Sequence, residues 1–157
     1  EYDHELATTR RVLERVPEAD FGWKPHDKSM TLGQLAGHVA NIPFWLSATM
    51  DAPFYDVTAG DKEATLEPPS SRDELLRQFD EKVRRARASL AKATDAEMMA
   101  GWSLRNAGQE IFSMPRLAVV RSFVLNHLIH HRGQLTVYLR LRNVPLPSIY
   151  GPTADEQ

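Results

Sequence analysis

Four segments of this 157-residue chain carry apolar residues at the spacing of an amphipathic α-helix. Proline-containing or turn-rich stretches separate these segments, and proline is costly inside a helix. The helices are predicted at residues 2–16, from Ser29 or Thr31 to residue 50, from Ser70 or Ser71 to residue 93, and at 115–143. Four such helices with one long crossover favour a four-helix bundle, which makes the predicted fold all-α.

The connections between the predicted helices differ in length. Residues 51–70 are rich in turn-forming residues and are predicted to form a long surface loop. Before the last helix, the sequence Asn106-Ala107-Gly108 separates two short apolar runs and indicates a small hairpin. We find no internal repeat, and the length suits one core, so residues 1–157 are predicted to form a single domain.

Composition excludes several classes of function. A formal net charge of −2 gives no reason to expect nucleic acid or an anionic membrane as a partner. The chain has no cysteine, so disulfides, thiolate metal ligands and a cysteine nucleophile are excluded. No apolar run approaches the ~20 residues of a membrane span, and no signal peptide is recognisable. A cytoplasmic location is therefore expected, although a chain that begins at Glu1 leaves a preceding segment open.

Histidines are concentrated in the last predicted helix. His127, His130 and His131 lie within five residues of one another. At 100° per residue, His127 and His131 share a face with Val120 and Val124, which predicts that both imidazoles point inward and can reach one ion. His130 is rotated roughly 60° from that face and is expected at its flank.

His38 is the candidate for a third ligand. It shares one side of the second predicted helix with Leu35, Ile42 and Trp45, so it also is expected to point inward. Three neutral imidazoles with open positions are typical of a catalytic rather than a structural metal site. Zinc or nickel is favoured, and iron or manganese would also accept such ligands. The sequence leaves open the alternative that these are core histidines held by hydrogen bonds.

Other residues near these histidines are candidates for supporting roles. Gln134, His130 and Tyr138 can supply hydrogen bonds that orient ligating imidazoles, and Trp45 can form a wall of a substrate pocket. Each also has a plainer interpretation, as polar residues of a helix flank or as bundle packing. Leu128 occupies the position where a zinc metalloprotease carries its catalytic glutamate, so that mechanism of peptide hydrolysis is disfavoured.

The chain resembles the DinB-like (DinB/YfiT) superfamily of bacterial four-helix-bundle proteins. The resemblance depends on Leu35-Ala-Gly-His38-Val and on His127-Leu-Ile-His-His131-Arg-Gly-Gln-Leu. It continues through Tyr138-Leu-Arg-Leu-Arg and the tail from Pro145 to Glu156, and so covers nearly the whole chain.

That resemblance implies a divalent metal ion held by three histidines, which correspond to His38, His127 and His131. Superfamily members include S-transferases that use low-molecular-weight thiols such as bacillithiol, and mycothiol-dependent isomerases. Dimers are common among them. The leading prediction is a homodimeric, metal-dependent transferase of the thiol S-transferase type, or a hydrolase, that acts on a small molecule. The alternative is a non-enzymatic, metal-stabilised bundle that serves as an interaction or sensing module.

Overall fold

A computed structural model describes residues 1–58 and 68–156 of the chain. Long helices dominate it, and their order matches the predicted order. They are α1 (Tyr2–Leu13), α2 (Leu32–Asp51), α3 (Arg72–Ala91) and a last helical segment that contains α5 (Arg116–Ala118) and α6 (Asn126–Leu141). A short helix that the sequence analysis did not predict, α4 (Asp95–Met99), follows α3.

Side-chain caps fix the starts of α2 and α3. The Thr31 hydroxyl accepts a hydrogen bond from the backbone N–H of Gln34, and the Gln34 side chain accepts one from the backbone N–H of Thr31. Ser71 caps α3 by accepting from the backbone N–H of Glu74. Such caps satisfy the first N–H groups of a helix and stabilise it by about 1 kcal/mol. Of the starts left open by the sequence, Thr31 and Ser71 are the ones confirmed.

The long helices pack as a closed bundle. Helix α2 lies between α3 and α6, and α1 contacts both α3 and α6. The core between them is apolar, and each fully buried leucine or valine contributes about 1.5–3 kcal/mol by leaving water. Completely buried members of this core are Leu13, Leu32, Leu46, Leu75, Leu135 and Leu139. The predicted helical bundle is confirmed.

The last helical segment changes its hydrogen bonding within its length. Between α5 and α6, Val119–Leu125 forms a π-helix, in which each N–H bonds to the carbonyl five residues earlier. Buried residues recur here at every fourth position, at Val120, Val124, Leu128 and Arg132. A regular α-helix would rotate such a row by about 40° per step. The wider π-turn offsets part of this rotation, so that the residues of the row stay directed toward the core.

A small sheet adds to the helices, so the all-α prediction needs correction. Strand β2 (Gly101–Asn106) pairs antiparallel with β3 (Gln109–Pro115), and this is the predicted hairpin. Its two turn residues, Ala107 and Gly108, have φ values of 49° and 79°, as the tightest hairpin turns require.

The third strand of the sheet was not predicted. Strand β1 (Phe54–Asp56) lies in the stretch expected to be a surface loop and pairs parallel with β2. Three residues after a proline are too few for a recognisable alternation, and long-range pairing with β2 makes them a strand. The Asp56 carboxylate accepts hydrogen bonds from the backbone N–H groups of Ala107 and Gly108, at 3.1 and 2.7 Å. Residues 59–67 of the predicted loop lie outside the described residues.

Candidate metal centre

Helices α2 and α6 bring three imidazoles together. His38 comes from α2, and His127 and His131 stand one turn apart on α6. The Nε2 atoms of His38 and His127 are 3.1 Å apart, and the ring centroid of His131 lies 4.4 Å from that of His38. One ligand nitrogen from each ring can be chosen so that all three lie within 4.8 Å of one another. The residues selected from the sequence therefore form a cluster compatible with a divalent metal ion.

The cluster lies at the edge of the core rather than inside it. All three histidines are half-buried, whereas the fully buried row of α6 consists of Leu128, Arg132, Leu135 and Leu139. The sequence predicted His127 and His131 on the buried side of the helix; in the structure they are half-buried and lie beside the fully buried row. The π-helix explains the error, because it changes the rotation between the valines and the histidines that a regular wheel places on one face.

Burial and mutual repulsion keep the three imidazoles neutral. Burial, followed by repulsion from His131 and His127, lowers the pKa of His38 to about 4. Burial is also the main cause that lowers the pKa of His127 and of His131. The Phe123 backbone carbonyl acts in the opposite direction on His127, although Nδ1 of His127 makes no complete hydrogen bond within the described part of the chain. Neutral imidazoles offer the lone pairs that a metal ion needs.

The donor set fits a divalent cation. Imidazole nitrogens that share a tetrahedral zinc at about 2.0–2.1 Å are about 3.3 Å apart, close to the 3.1 Å between His38 and His127. Within residues 1–58 and 68–156, no carboxylate joins the three histidines as a further member of the cluster. This arrangement provides three nitrogen ligands, the number that catalytic zinc sites use when water or substrate completes the shell.

Gln134 contacts one of the histidines directly. Its Oε1 atom lies 2.7 Å from Nδ1 of His131, one turn along α6. With Oε1 as the acceptor, Nδ1 carries the proton and Nε2 of His131 keeps its lone pair. His130 is exposed and places its ring edge-on to His131, with the centroids 4.8 Å apart. The structure therefore brings both predicted neighbours to the cluster.

The other two predicted neighbours lie farther from it. The Tyr138 hydroxyl donates to the backbone carbonyl of Met30 at 3.3 Å, and its ring packs edge-on against Trp23. Trp45 packs against Phe123, and Phe123 in turn lies beside His127 with centroids 6.0 Å apart. Trp45 thus reaches the histidines through Phe123, whose contribution the sequence analysis did not predict.

An open cleft borders the cluster on the His131 side. We call it the His131 cleft; its volume is about 450 Å³. It lies between the approach to α2 and the outer face of α6. Its lining residues are Ser29, Met30 and Leu35 on one side and His131, Gln134, Val137 and Tyr138 on the other.

A buried ion pair that was not predicted from the sequence involves Arg132, the residue that follows His131 on α6. Arg132 Nη2 is 2.8 Å from Glu5 Oε2, with 2% and 7% of these side chains exposed. Arg132 also donates to Thr9 at 3.2 Å and to the hydroxyl of Tyr150 at 2.6 Å, and that hydroxyl donates to Glu5 at 2.7 Å. The four-residue spacing from Leu128 was the available signal for a buried Arg132. These contacts fix α6 to α1 immediately beside His131.

No helix in residues 1–58 and 68–156 is both long and apolar enough to cross a membrane.

Sequence comparison identifies the family. Residues 1–135 match the model of the DinB superfamily, and the chain belongs to this superfamily. A Bacillus subtilis protein, YrdA, described as uncharacterized, is 47% identical over 34 residues. That match covers 22% of the chain and 20% of the length of YrdA, so the activity and partners of the whole protein are matters for proposal.

Two solved structures share the fold. A DinB-like protein from Bacillus cereus ATCC 10987 is 23% identical, with a TM-score of 0.71 over 95% of this chain and 93% of the other. A DinB-like protein from Bacillus subtilis, YjoA, is 16% identical, with a TM-score of 0.70 over 99% and 96%. At these identities the likeness shows the fold alone.

Proposed function

We propose that this protein is a divalent-metal-dependent enzyme that acts on a small molecule, as a thiol S-transferase or as a hydrolase. One observation carries the proposal: His38, His127 and His131 converge at the edge of the core, beside an open cleft. A purely structural metal site is usually closed by four protein ligands. Here the described residues supply three histidines, and one of them, His131, also lines a cleft that a substrate can enter.

A bound divalent cation supplies a Lewis acid that favours loss of the proton from a thiol or a water molecule. The role of the chain's own residues is to hold the cation and to orient its ligands. The three imidazoles supply neutral ligands, and Gln134 fixes the tautomer of His131. In thiol transfer, the sulfur bonds to the electrophilic carbon and the leaving group departs with its bonding electrons, while the thiol proton passes to solvent. In hydrolysis, water takes the place of the thiol.

Nitrogen ligands favour zinc or nickel over magnesium or calcium, and iron and manganese are alternatives. Homodimer formation, a low-molecular-weight thiol as co-substrate and a cytoplasmic location belong to the same proposal, as does the single-domain organisation of residues 1–157. Neither nucleic acid nor a membrane is expected as a partner.

The second candidate is a metal-stabilised interaction or sensing module without catalysis. The observation that favours it is that the cluster joins two helices, since His38 lies on α2 and both other histidines lie on α6. A metal ion there would stabilise the α2–α6 contact even without a reaction.

Metal analysis of untagged protein tests both candidates, because an affinity column can itself load nickel into such a site. We expect about one divalent ion per chain, lost in His38→Ala and retained in the matched control His130→Ala. Metal content near zero, with unchanged stability of His38→Ala, contradicts both. Absorption spectra of cobalt-loaded protein then separate them: exchangeable water supports the enzyme, and a closed shell of four protein ligands contradicts it. Thiol-transfer assays follow with the identified metal restored.

A further inference from the structure

None of the described residues that line the His131 cleft carries a permanent charge. Its walls are mainly apolar, with Met30 and Leu35 on one side and Val137 and the Tyr138 ring on the other. A charged group entering such a cleft loses hydration without gaining an ionic partner, which is unfavourable. A cleft with this lining therefore favours uncharged, apolar groups of a ligand.

The size of the cleft suits a small molecule. Its volume of about 450 Å³ lies in the range of about 300–1,000 Å³ that is usual for small-molecule sites. Apolar lining with a few well-placed polar groups is also the usual composition of such sites. The cleft is contiguous with the metal centre because His131 belongs to both.

Gln134 can fix the orientation of a ligand in the cleft. Its Oε1 atom is occupied by Nδ1 of His131, and its Nε2 group makes no hydrogen bond within the described part of the chain. Those N–H groups belong to a residue of the cleft wall, where they can donate to a carbonyl or ether oxygen of a ligand. The Ser29 hydroxyl, on the opposite wall, can donate or accept.

We propose that the His131 cleft binds the uncharged, mainly apolar part of the substrate, with an acceptor oxygen directed toward Gln134. This inference rests on the proposed function, since it assigns the cleft to the same reaction. It predicts that an uncharged group is preferred over an anionic one, because none of the described residues that line the cleft is cationic at neutral pH.

Two thiols of opposite character test the proposal on untagged, cobalt-loaded protein. Benzyl mercaptan is uncharged and apolar apart from its sulfur, whereas 4-(mercaptomethyl)benzoate has the same skeleton with a carboxylate at the far end of the ring, too distant to chelate the ion that the sulfur binds. Thiolate-to-cobalt absorption reports binding of either. We expect benzyl mercaptan to bind at least about tenfold more tightly, because a carboxylate that enters an apolar cleft loses hydration without gaining an ionic partner. Equal binding, or tighter binding of 4-(mercaptomethyl)benzoate, would overturn the assignment.

A matched pair of variants on α6 locates the binding. Val137 lines the cleft and is 58% exposed, and Leu141, one turn later, is 55% exposed but does not line it. We expect Val137→Glu to weaken benzyl mercaptan by about tenfold or more and Leu141→Glu to leave it unchanged. Both variants should retain cobalt at wild-type stoichiometry. If the two substitutions weaken binding equally, the ligand does not bind in the cleft and the assignment is wrong.

A thiol-free probe separates failure of this inference from failure of the proposed function. Benzyl methyl ether, followed by saturation-transfer NMR with metal-free protein, needs no metal ion. Binding to wild type and Leu141→Glu, with loss in Val137→Glu, supports the cleft even if no cobalt is retained. Retained cobalt without ether binding overturns the cleft assignment alone.

Discussion

Nε2 of His38 faces Nε2 of His127 at 3.1 Å across the contact between α2 and α6. In the absence of an ion, one of these nitrogens donates a hydrogen bond to the other. When both Nε2 lone pairs are directed to a cation, the donating ring moves its proton to Nδ1, where the accepting ring already carries its own. The same pair of residues thus joins the two helices in either state, and the metal-bound state adds His131 to the contact.

Metal removal should lower the thermal stability of the protein. A ligand that binds only the folded state stabilises it by RT ln(1 + [L]/Kd), about 2.7 kcal/mol at a free concentration of 100 Kd. We expect excess chelator to lower Tm by several degrees in wild type and in His130→Ala. The same chelator should leave Tm unchanged in His127→Ala, as measured by calorimetry. A chelator effect that persists in His127→Ala would place the ion elsewhere.

Substitution of Gln134 should weaken the metal centre without emptying it. Loss of a hydrogen bond that orients a ligating histidine typically lowers metal affinity 10–100-fold. We expect this range for Gln134→Leu, because Nδ1 of His131 loses its acceptor. Gln134→Glu keeps an acceptor oxygen at the same position and should retain affinity within a few-fold. Competition with a chromogenic chelator measures both, and equal losses in the two variants would assign Gln134 no orienting role.

Proton competition at the metal centre should be weak at mildly acidic pH. The pKa of His38 is lowered to about 4, and the pKa values of His127 and His131 are also lowered. Three ordinary imidazoles would release roughly two protons on metal binding at pH 6. We expect release of clearly fewer than two protons, as measured by titration calorimetry in buffers of different ionisation enthalpy. Release of about two protons would contradict this prediction, because it would mean that the pKa values of the three histidines are not lowered.

The same pKa shifts affect the stability of the metal-free protein, and the sign follows from proton uptake. Between about pH 4 and 6.5 the unfolded chain binds more protons on these histidines than the folded chain does. Their contribution to stability is therefore complete above pH 6.5 and is lost as the pH falls toward 4. A His38→Ala variant should show a smaller loss of stability over that interval.

The Arg132–Glu5 pair should be the most sensitive polar contact near the site. Removal of one partner of a buried pair strands the other charge and costs about 3–5 kcal/mol. We expect such a loss for Arg132→Met in urea unfolding. Arg140→Met, on the same helix, breaks an exposed pair with Asp155 and should cost about 1 kcal/mol or less. The double variant Glu5→Met with Arg132→Met should recover part of the loss, because no charge is left stranded.

Helix caps and apolar spacing carried most of the fold prediction. Thr31 and Ser71 mark their helices through local hydrogen bonds, which a sequence records directly. Strand β1 could not be predicted because its partner, β2, lies nearly fifty residues away and makes Phe54–Asp56 a strand by pairing. Buried Arg132 was missed for a similar reason, since its partner Glu5 is at the other end of the chain.

The three histidines could be selected from one sequence because helical spacing places His127 and His131 one turn apart. The degree of burial of these histidines could not be predicted, since it depends on the π-helix Val119–Leu125. That stretch is rich in valine, but it contains no proline or glycine that would mark a change of hydrogen bonding in the sequence. A helical wheel drawn at a constant 100° per residue therefore grouped the imidazoles with Val120 and Val124, and it predicted greater burial than the structure shows.

The π-helix also has an evolutionary consequence. A π-turn accommodates one more residue than an α-turn, and is thus the local structure expected after a single-residue insertion into a helix. Everything after the insertion rotates by about 100° relative to everything before it. A gain or loss of one codon upstream of His127 would be enough to move a pair of imidazoles between the bundle interior and a site open to ligands.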